Sequence, residues 1–115
     1  MMTFDDFRSE MKTYRQTVSE RAIRSKESNR ALSDLGDLYR RFDTDERKMA
    51  DQVLIEWVSS DDEGIRFDAE SLIREFQIAS AIPALEELIG RLSRASSPGA
   101  PYELDKVRKI LAGLQ

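Results

Sequence analysis

A proline in the middle of an otherwise helical stretch is the feature that most limits the fold of this chain. Residues 64–92 read GIRFDAESLIREFQIASAIPALEELIGRL, with Pro83 between two runs of apolar residues at helical spacing. A proline deep inside a helix costs about 3 kcal/mol, whereas in the first turn its missing N–H has no helical partner to lose. With Ser80 as a cap for the second helix, the stretch predicts two helices folded back on each other.

Four further segments repeat apolar residues in steps of three and four, which is the pattern of one helix face. They run over residues 4–18, 32–42, 49–58 and 104–114. The polar sequence at 21–29 is interpreted as a helix end and a loop, and the short apolar run at 52–55 is rejected as a strand. The predicted fold class is all-α, with about six helices in a single domain over residues 1–115.

Several residues have the chemistry of helix caps. Thr3 or Asp5 can cap the first helix and Asn29 the second, and Asp43 with Glu46 three residues later has the spacing of a capping box. These caps predict where three of the helices begin.

Residues 65–92 resemble one HEAT-like, armadillo-type helical repeat. The residues that carry the resemblance are Ile65-Arg66, Ala69, Leu72, Ala81-Ile82-Pro83-Ala84-Leu85 and Leu88. The chain departs from the pattern at Glu75-Phe76, where many such repeats have a Leu-Gly pair. Residues 31–58 resemble a degenerate repeat, which would make the first and last helices caps. The resemblance implies a short right-handed stack of antiparallel helix pairs, used in related proteins mostly to bind other proteins.

The composition removes the commonest catalytic and metal-binding groups. The chain has no Cys and no His, so it has no thiolate nucleophile, no imidazole base and none of the usual zinc ligands. Ser9-Glu10-Met11-Lys12 matches a serine–lysine pattern, but the motifs that accompany this pattern in enzymes are absent. The acidic residues at 61–63 could bind a hard cation, although the helix dipole also favours acidic residues at a helix N-terminus without any metal. We expect no enzymatic activity, no metal and no cofactor.

No apolar run approaches the roughly 20 residues that span a bilayer. The N-terminal sequence MMTFDDFRSE is acidic and polar, unlike a secretory signal. A cytoplasmic location without membrane attachment is the resulting expectation.

Charge is distributed unevenly along the chain. Residues 43–90 hold four Lys or Arg against thirteen Asp or Glu, whereas the segments before and after them are net positive. Such an acidic region attracts a basic partner and disfavours nucleic acid, despite basic runs at 21–30 and 91–109. The alternative is a solvated face with acids at helix N-termini. The residues we expect to bind the partner are Asp61, Asp62, Glu63, Glu70 and Glu75.

These features predict a protein that works by binding another protein. In size, charge and lack of catalytic residues the chain resembles small bacterial immunity proteins, which implies an acidic inhibitor that neutralises a cognate toxin. A scaffold or adaptor subunit is the second interpretation. A homodimer through the apolar stripe Phe4–Val18 of the first helix is the third.

Overall fold

Six α-helices make up most of the computed structural model, which describes residues 3–25 and 30–115. They are α1 (Phe4–Ser25), α2 (Arg30–Arg41), α3 (Thr44–Val58), α4 (Glu63–Phe76), α5 (Ile82–Arg94) and α6 (Ala100–Leu114), with a 3-10 turn at Ala79–Ala81. No β-strand occurs in the two described ranges, and residues 52–55 lie inside α3. The predicted all-α fold class is confirmed.

The chain divides into two compact units, Met1–Val53 and Leu54–Gln115. The boundary falls within α3, which is continuous over both segments. A single helical-repeat domain over the whole chain stays a prediction.

In the first unit, α1 and α2 form an antiparallel pair. The ring of Phe7 lies 5.1 Å from the ring of Phe42, and the Tyr14 hydroxyl donates to the carbonyl of Asp34 at 3.4 Å. Early residues of α1 thus meet the end of α2, and later residues meet its middle. Helix α1 continues to Ser25, within the stretch 21–29 that was interpreted as a helix end and a loop. The predicted cap Asn29 lies outside the described residues.

Reciprocal caps hold the starts of α1 and α3. The Asp6 amide donates to the Thr3 hydroxyl at 3.1 Å, which makes Thr3 the cap of α1. At α3, the Glu46 amide donates to the Asp43 carboxylate at 2.8 Å and the Asp43 amide to the Glu46 carboxylate at 3.0 Å. The predicted capping box is therefore confirmed, with two otherwise unpaired backbone donors satisfied at once.

In the second unit, a tight turn separates α4 from α5. Gln77 adopts the left-handed conformation (φ 52°, ψ 54°), and the Ile78 amide donates to the Ile73 carbonyl at 3.0 Å. This is a Schellman-type helix end. Pro83 lies in the first turn of α5, as predicted. The predicted cap Ser80 is wrong: it lies within the 3-10 turn, and α5 begins without a side-chain cap.

The helices of the second unit alternate in direction. The Arg91 guanidinium, near the end of α5, donates to the Ser59 carbonyl and the Asp61 carboxylate just before α4, so α5 runs antiparallel to α4. Helix α6 packs against both α4 and α5. The buried apolar residues of this unit are Leu54, Trp57, Val58, Ala69, Leu72, Ile73, Ile78, Ala81, Leu85, Leu88, Leu92, Ala100, Val107 and Ile110. Trp57 belongs to this core.

Candidate functional site

Two ion pairs join α4 to α6 and show that these helices run parallel. Arg66 pairs with Glu103, and one turn later Glu70 pairs with Lys106. The partners advance together along both helices, as only parallel helices allow. On α4 the two charged residues are four apart and on α6 three apart, so each pair projects from one face of its helix.

The Arg66–Glu103 pair is buried and bidentate. Arg66 Nε and Nη2 donate to the two carboxylate oxygens at 2.8 and 2.9 Å, and Nη1 donates to the Ser60 carbonyl at 3.0 Å. Only 12% and 9% of the two side chains are exposed. Burial alone would raise the pKa of Glu103, but the hydrogen bonds from Arg66 outweigh it and hold that pKa below its ordinary value.

Glu70 is less well satisfied than Glu103. Its side chain is 1% exposed, Oε1 lies 3.5 Å from Lys106 Nζ, and Oε2 has no hydrogen-bond partner. Burial, a side-chain hydrogen bond to Glu103 and the negative charge of Glu103 raise the pKa of Glu70 to about 8, against the opposing effect of Lys106. At neutral pH this carboxyl is therefore mostly protonated.

A groove opens above these ion pairs. It has a volume of about 340 Å³ and is lined by Glu63, Phe67, Glu70, Gly99, Tyr102, Glu103 and Lys106. Phe67 is 51% and Tyr102 82% exposed, and these two are the large apolar side chains left exposed in the part of the chain that the structure describes. Lys106 Nζ lies 4.0 Å above the centre of the Phe67 ring. The groove thus combines two exposed aromatic rings, the ammonium group of Lys106 and the buried carboxyl of Glu70.

The structure separates the five residues predicted from sequence to bind a partner. Asp61, Asp62 and Glu63 are exposed together at the start of α4, where Asp62 caps the helix by accepting from the Ile65 amide at 3.0 Å. Glu75 is exposed in the last turn of α4, about 18 Å further along the helix at 1.5 Å per residue. Glu70 is buried, so it does not share an exposed face with the other four, and its role in binding a partner stays a prediction.

The sequence analysis assigned no binding role to Phe67, Tyr102 or Lys106. One signal was present: Arg66–Glu70 and Glu103–Lys106 carry opposite charges in opposite order at helical spacing. Two such helices complement each other only if they lie side by side and parallel, which the sequence does not reveal.

Two other classes of site receive no support from the described residues. No group of three or more acidic side chains lies close enough to hold a metal ion. None of the described helices is both long and apolar enough to cross a membrane.

A second cavity, of about 530 Å³, lies further along α4 and α6. Its lining includes Arg74, Gln77, Lys109 and Gly113. The Lys109 ammonium is already paired with Asp105 at 2.9 Å, and no exposed aromatic ring borders the cavity. The groove of Phe67 and Tyr102 is therefore the stronger candidate site.

No protein-family model, curated protein or solved structure matches this chain.

Proposed function

We propose that this chain is a non-catalytic protein-binding module that recognises a basic protein surface. The observation that carries the proposal is the exposure of Phe67 and Tyr102 on one groove. Aromatic side chains supply a large part of the binding energy in many protein interfaces, and soluble proteins rarely leave them exposed together without a use.

Charge favours a basic partner over other classes. Glu63 borders the groove and makes no hydrogen bond or ion pair among the described residues, and Asp61 and Asp62 precede it. Arg91 pairs with Asp61, so Glu63 is the acid that favours a basic protein over a phosphate backbone at the groove itself. Nucleic acid, membrane and a tightly bound cofactor have no place in the proposal.

The more specific form of the proposal is an acidic immunity or inhibitor protein that neutralises a cognate toxin in the cytoplasm. The alternative is a scaffold or adaptor subunit of a bacterial protein complex. Helices α4, α5 and α6 alternate in direction, as helices do in two successive units of a HEAT-like stack. In that comparison α4 and α5 form one pair, and α6 is the first helix of the next. This arrangement supports a repeat-type binding surface in either case.

The test is a comparison of baits in source-cell lysate. Wild-type protein, Phe67→Ala and Glu63→Lys are tagged and washed at low and high salt, and bound proteins are identified by mass spectrometry. We expect one stoichiometric basic protein on the wild type, lost from both variants and at high salt. Glu86→Lys, a charge reversal at an exposed position on α5, serves as the control and should retain it.

The same partner distinguishes the two forms of the proposal. An inhibitor should bind at nanomolar affinity, with an association rate that falls steeply with salt, whereas an adaptor should bind more weakly with less salt dependence. Equal capture by wild type, Phe67→Ala and Glu63→Lys would contradict the role of the groove. If the tagged protein captures only further copies of the same chain, the result would favour self-assembly.

A further inference from the structure

The groove already holds a cation, contributed by the chain itself. The Lys106 ammonium lies 4.0 Å above the Phe67 ring, within the range of a cation–π contact. More than half of Phe67 nevertheless remains exposed, and Tyr102 on the same groove has almost no cover. The position is therefore suited to a positive charge but is only partly filled by the one present.

Lys106 is a poor match for the carboxyl below it. Its ammonium is 3.5 Å from Glu70 Oε1 and 3.4 Å from the Ser71 hydroxyl, both longer than a good charged hydrogen bond. Glu70 Oε2 is buried in the floor of the groove without any hydrogen-bond donor. A buried acceptor left unpaired costs roughly 1–3 kcal/mol, so a ligand that supplies a donor gains from it.

A guanidinium has the properties that this site lacks. It is planar and weakly hydrated, stacks on aromatic faces, and presents five donors in a fork that fits both oxygens of a carboxylate. Glu103 is the weaker candidate acceptor, because Arg66 already donates to both of its oxygens. The unpaired Glu70 Oε2 at the floor and the Glu63 carboxylate at the rim remain.

We propose that the groove binds an arginine side chain of the protein partner, which displaces the Lys106 ammonium from Phe67, stacks against Phe67 and Tyr102, and donates to Glu70 and Glu63. The inference rests on the proposed protein-binding function and names the side chain that the groove recognises. A volume of about 340 Å³ leaves room for one such side chain with part of its backbone.

The test needs no knowledge of the natural partner. The full chain is titrated with the capped peptide Gly-Arg-Gly and, in parallel, with its lysine and citrulline counterparts, and backbone amide shifts are followed by NMR. Citrulline keeps the shape of arginine but has no charge. We expect saturable shifts confined to residues 63–70 and 99–106, with a dissociation constant in the millimolar range for arginine, several-fold weaker binding of lysine, and none of citrulline.

Variants separate recognition from general attraction. Phe67→Ala should weaken arginine binding roughly tenfold, and Glu63→Gln several-fold, while Glu86→Gln on α5 should leave it unchanged. Lys106→Met should strengthen binding several-fold, because it removes the competing ammonium. A role of these residues in stability alone gives no reason for tighter binding by that variant.

Any of three results overturns the inference: shifts that are scattered or do not saturate, citrulline binding as well as arginine, or weaker binding by Lys106→Met. If arginine fails while a lysate partner still depends on Phe67, the proposed function stands and the inference alone is wrong. If arginine binds in the groove while no partner is captured, the groove recognises arginine and the proposed function is wrong.

Discussion

Glu70 links the stability of the second unit to pH. Its pKa is about 8 in the folded chain and 4.5 for an ordinary glutamate, so between these values the folded state binds more protons than the unfolded state. The contribution of Glu70 to the free energy of unfolding is therefore fully present below about pH 4.5 and is lost as pH rises through 8. We expect Glu70→Gln to be more stable than wild type by roughly 1–3 kcal/mol at pH 9, because its amide carries no charge to bury.

Urea unfolding at pH 5 and pH 9 measures this difference. The advantage of Glu70→Gln should shrink at pH 5, where wild-type Glu70 is protonated in the fold. Glu86→Gln is the control, because its exposed carboxylate should leave stability unchanged at both values. An equal effect of Glu70→Gln at pH 5 and pH 9 would show that the ionisation of Glu70 is not involved.

Arg66 should be the most sensitive charged residue of the same cluster. Arg66→Met removes both hydrogen bonds to Glu103 and leaves a carboxylate that is 9% exposed without its partner. We expect a loss of roughly 3 kcal/mol in the free energy of unfolding, measured by urea denaturation. Arg66→Lys should lose less, because it keeps the charge without the bidentate geometry.

Lys109→Ala is the matched control for Arg66→Met, since it breaks the exposed Lys109–Asp105 pair on α6. A change within about 0.5 kcal/mol is expected there. Comparable losses for the two variants would mean that burial does not govern the strength of these pairs.

At the scale of an element, the end of α4 is held in a conformation that favours glycine. Gln77 has φ 52°, and its only side-chain hydrogen bond in the described structure is to the Arg74 carbonyl at the surface. Gln77→Gly should raise the free energy of unfolding by about 0.5–1 kcal/mol, because glycine has no Cβ to crowd the left-handed conformation. Thermal unfolding followed by circular dichroism measures the change.

Gln77→Asn should give a smaller gain, since Asn tolerates the left-handed region better than Gln, and Gln77→Val should be destabilising. A stability order that does not follow glycine, asparagine, glutamine and valine would indicate another conformation at this turn.

Helix positions were predictable from sequence because apolar spacing and caps are local. The steps of three and four located each helix, and Asp43 and Pro83 marked helix starts through chemistry that acts within one turn. Polar segments gave a less exact signal. The stretch 21–29 was interpreted as a helix end and a loop without a boundary between them, and α1 continues to Ser25. Ser80 has the chemistry of a cap, but the backbone there forms a 3-10 turn.

The site was less predictable than the helices because it depends on which helices are neighbours. Glu70 follows Ala69 and falls near the edge of the apolar face of α4, where spacing cannot distinguish an exposed acid from a buried one. Its burial is decided by α6, more than 30 residues later in the chain. The exposure of Phe67, by contrast, follows from its place off the apolar face. A single exposed aromatic ring does not indicate a binding site, however, and only the structure places Tyr102 beside it.

On the scale of the whole molecule, the stripe on α1 bears on the oligomeric state. Phe7, Met11 and Val18 are buried within the single chain, so a homodimer would have to use a different surface from the one the sequence suggested. We expect light scattering to give the mass of one chain, 13.2 kDa, at micromolar concentration. A mass of two chains would instead restore the homodimer as a candidate, and Tyr102→Ala would test whether the groove forms its interface.

The Arg66–Glu103 pair also fixes the register of α4 and α6. If α6 slid by one turn in either direction, the Arg66 guanidinium would lose its bidentate partner, and in one direction it would meet the Lys106 ammonium instead. Either slip leaves buried charge unpaired, whereas apolar contacts alone would tolerate both. Replacing Arg66 and Glu103 together by Leu should therefore keep the chain folded but allow several alignments of α6, visible as broadened or doubled NMR signals. Sharp single signals in that double variant would assign the register to the apolar core instead.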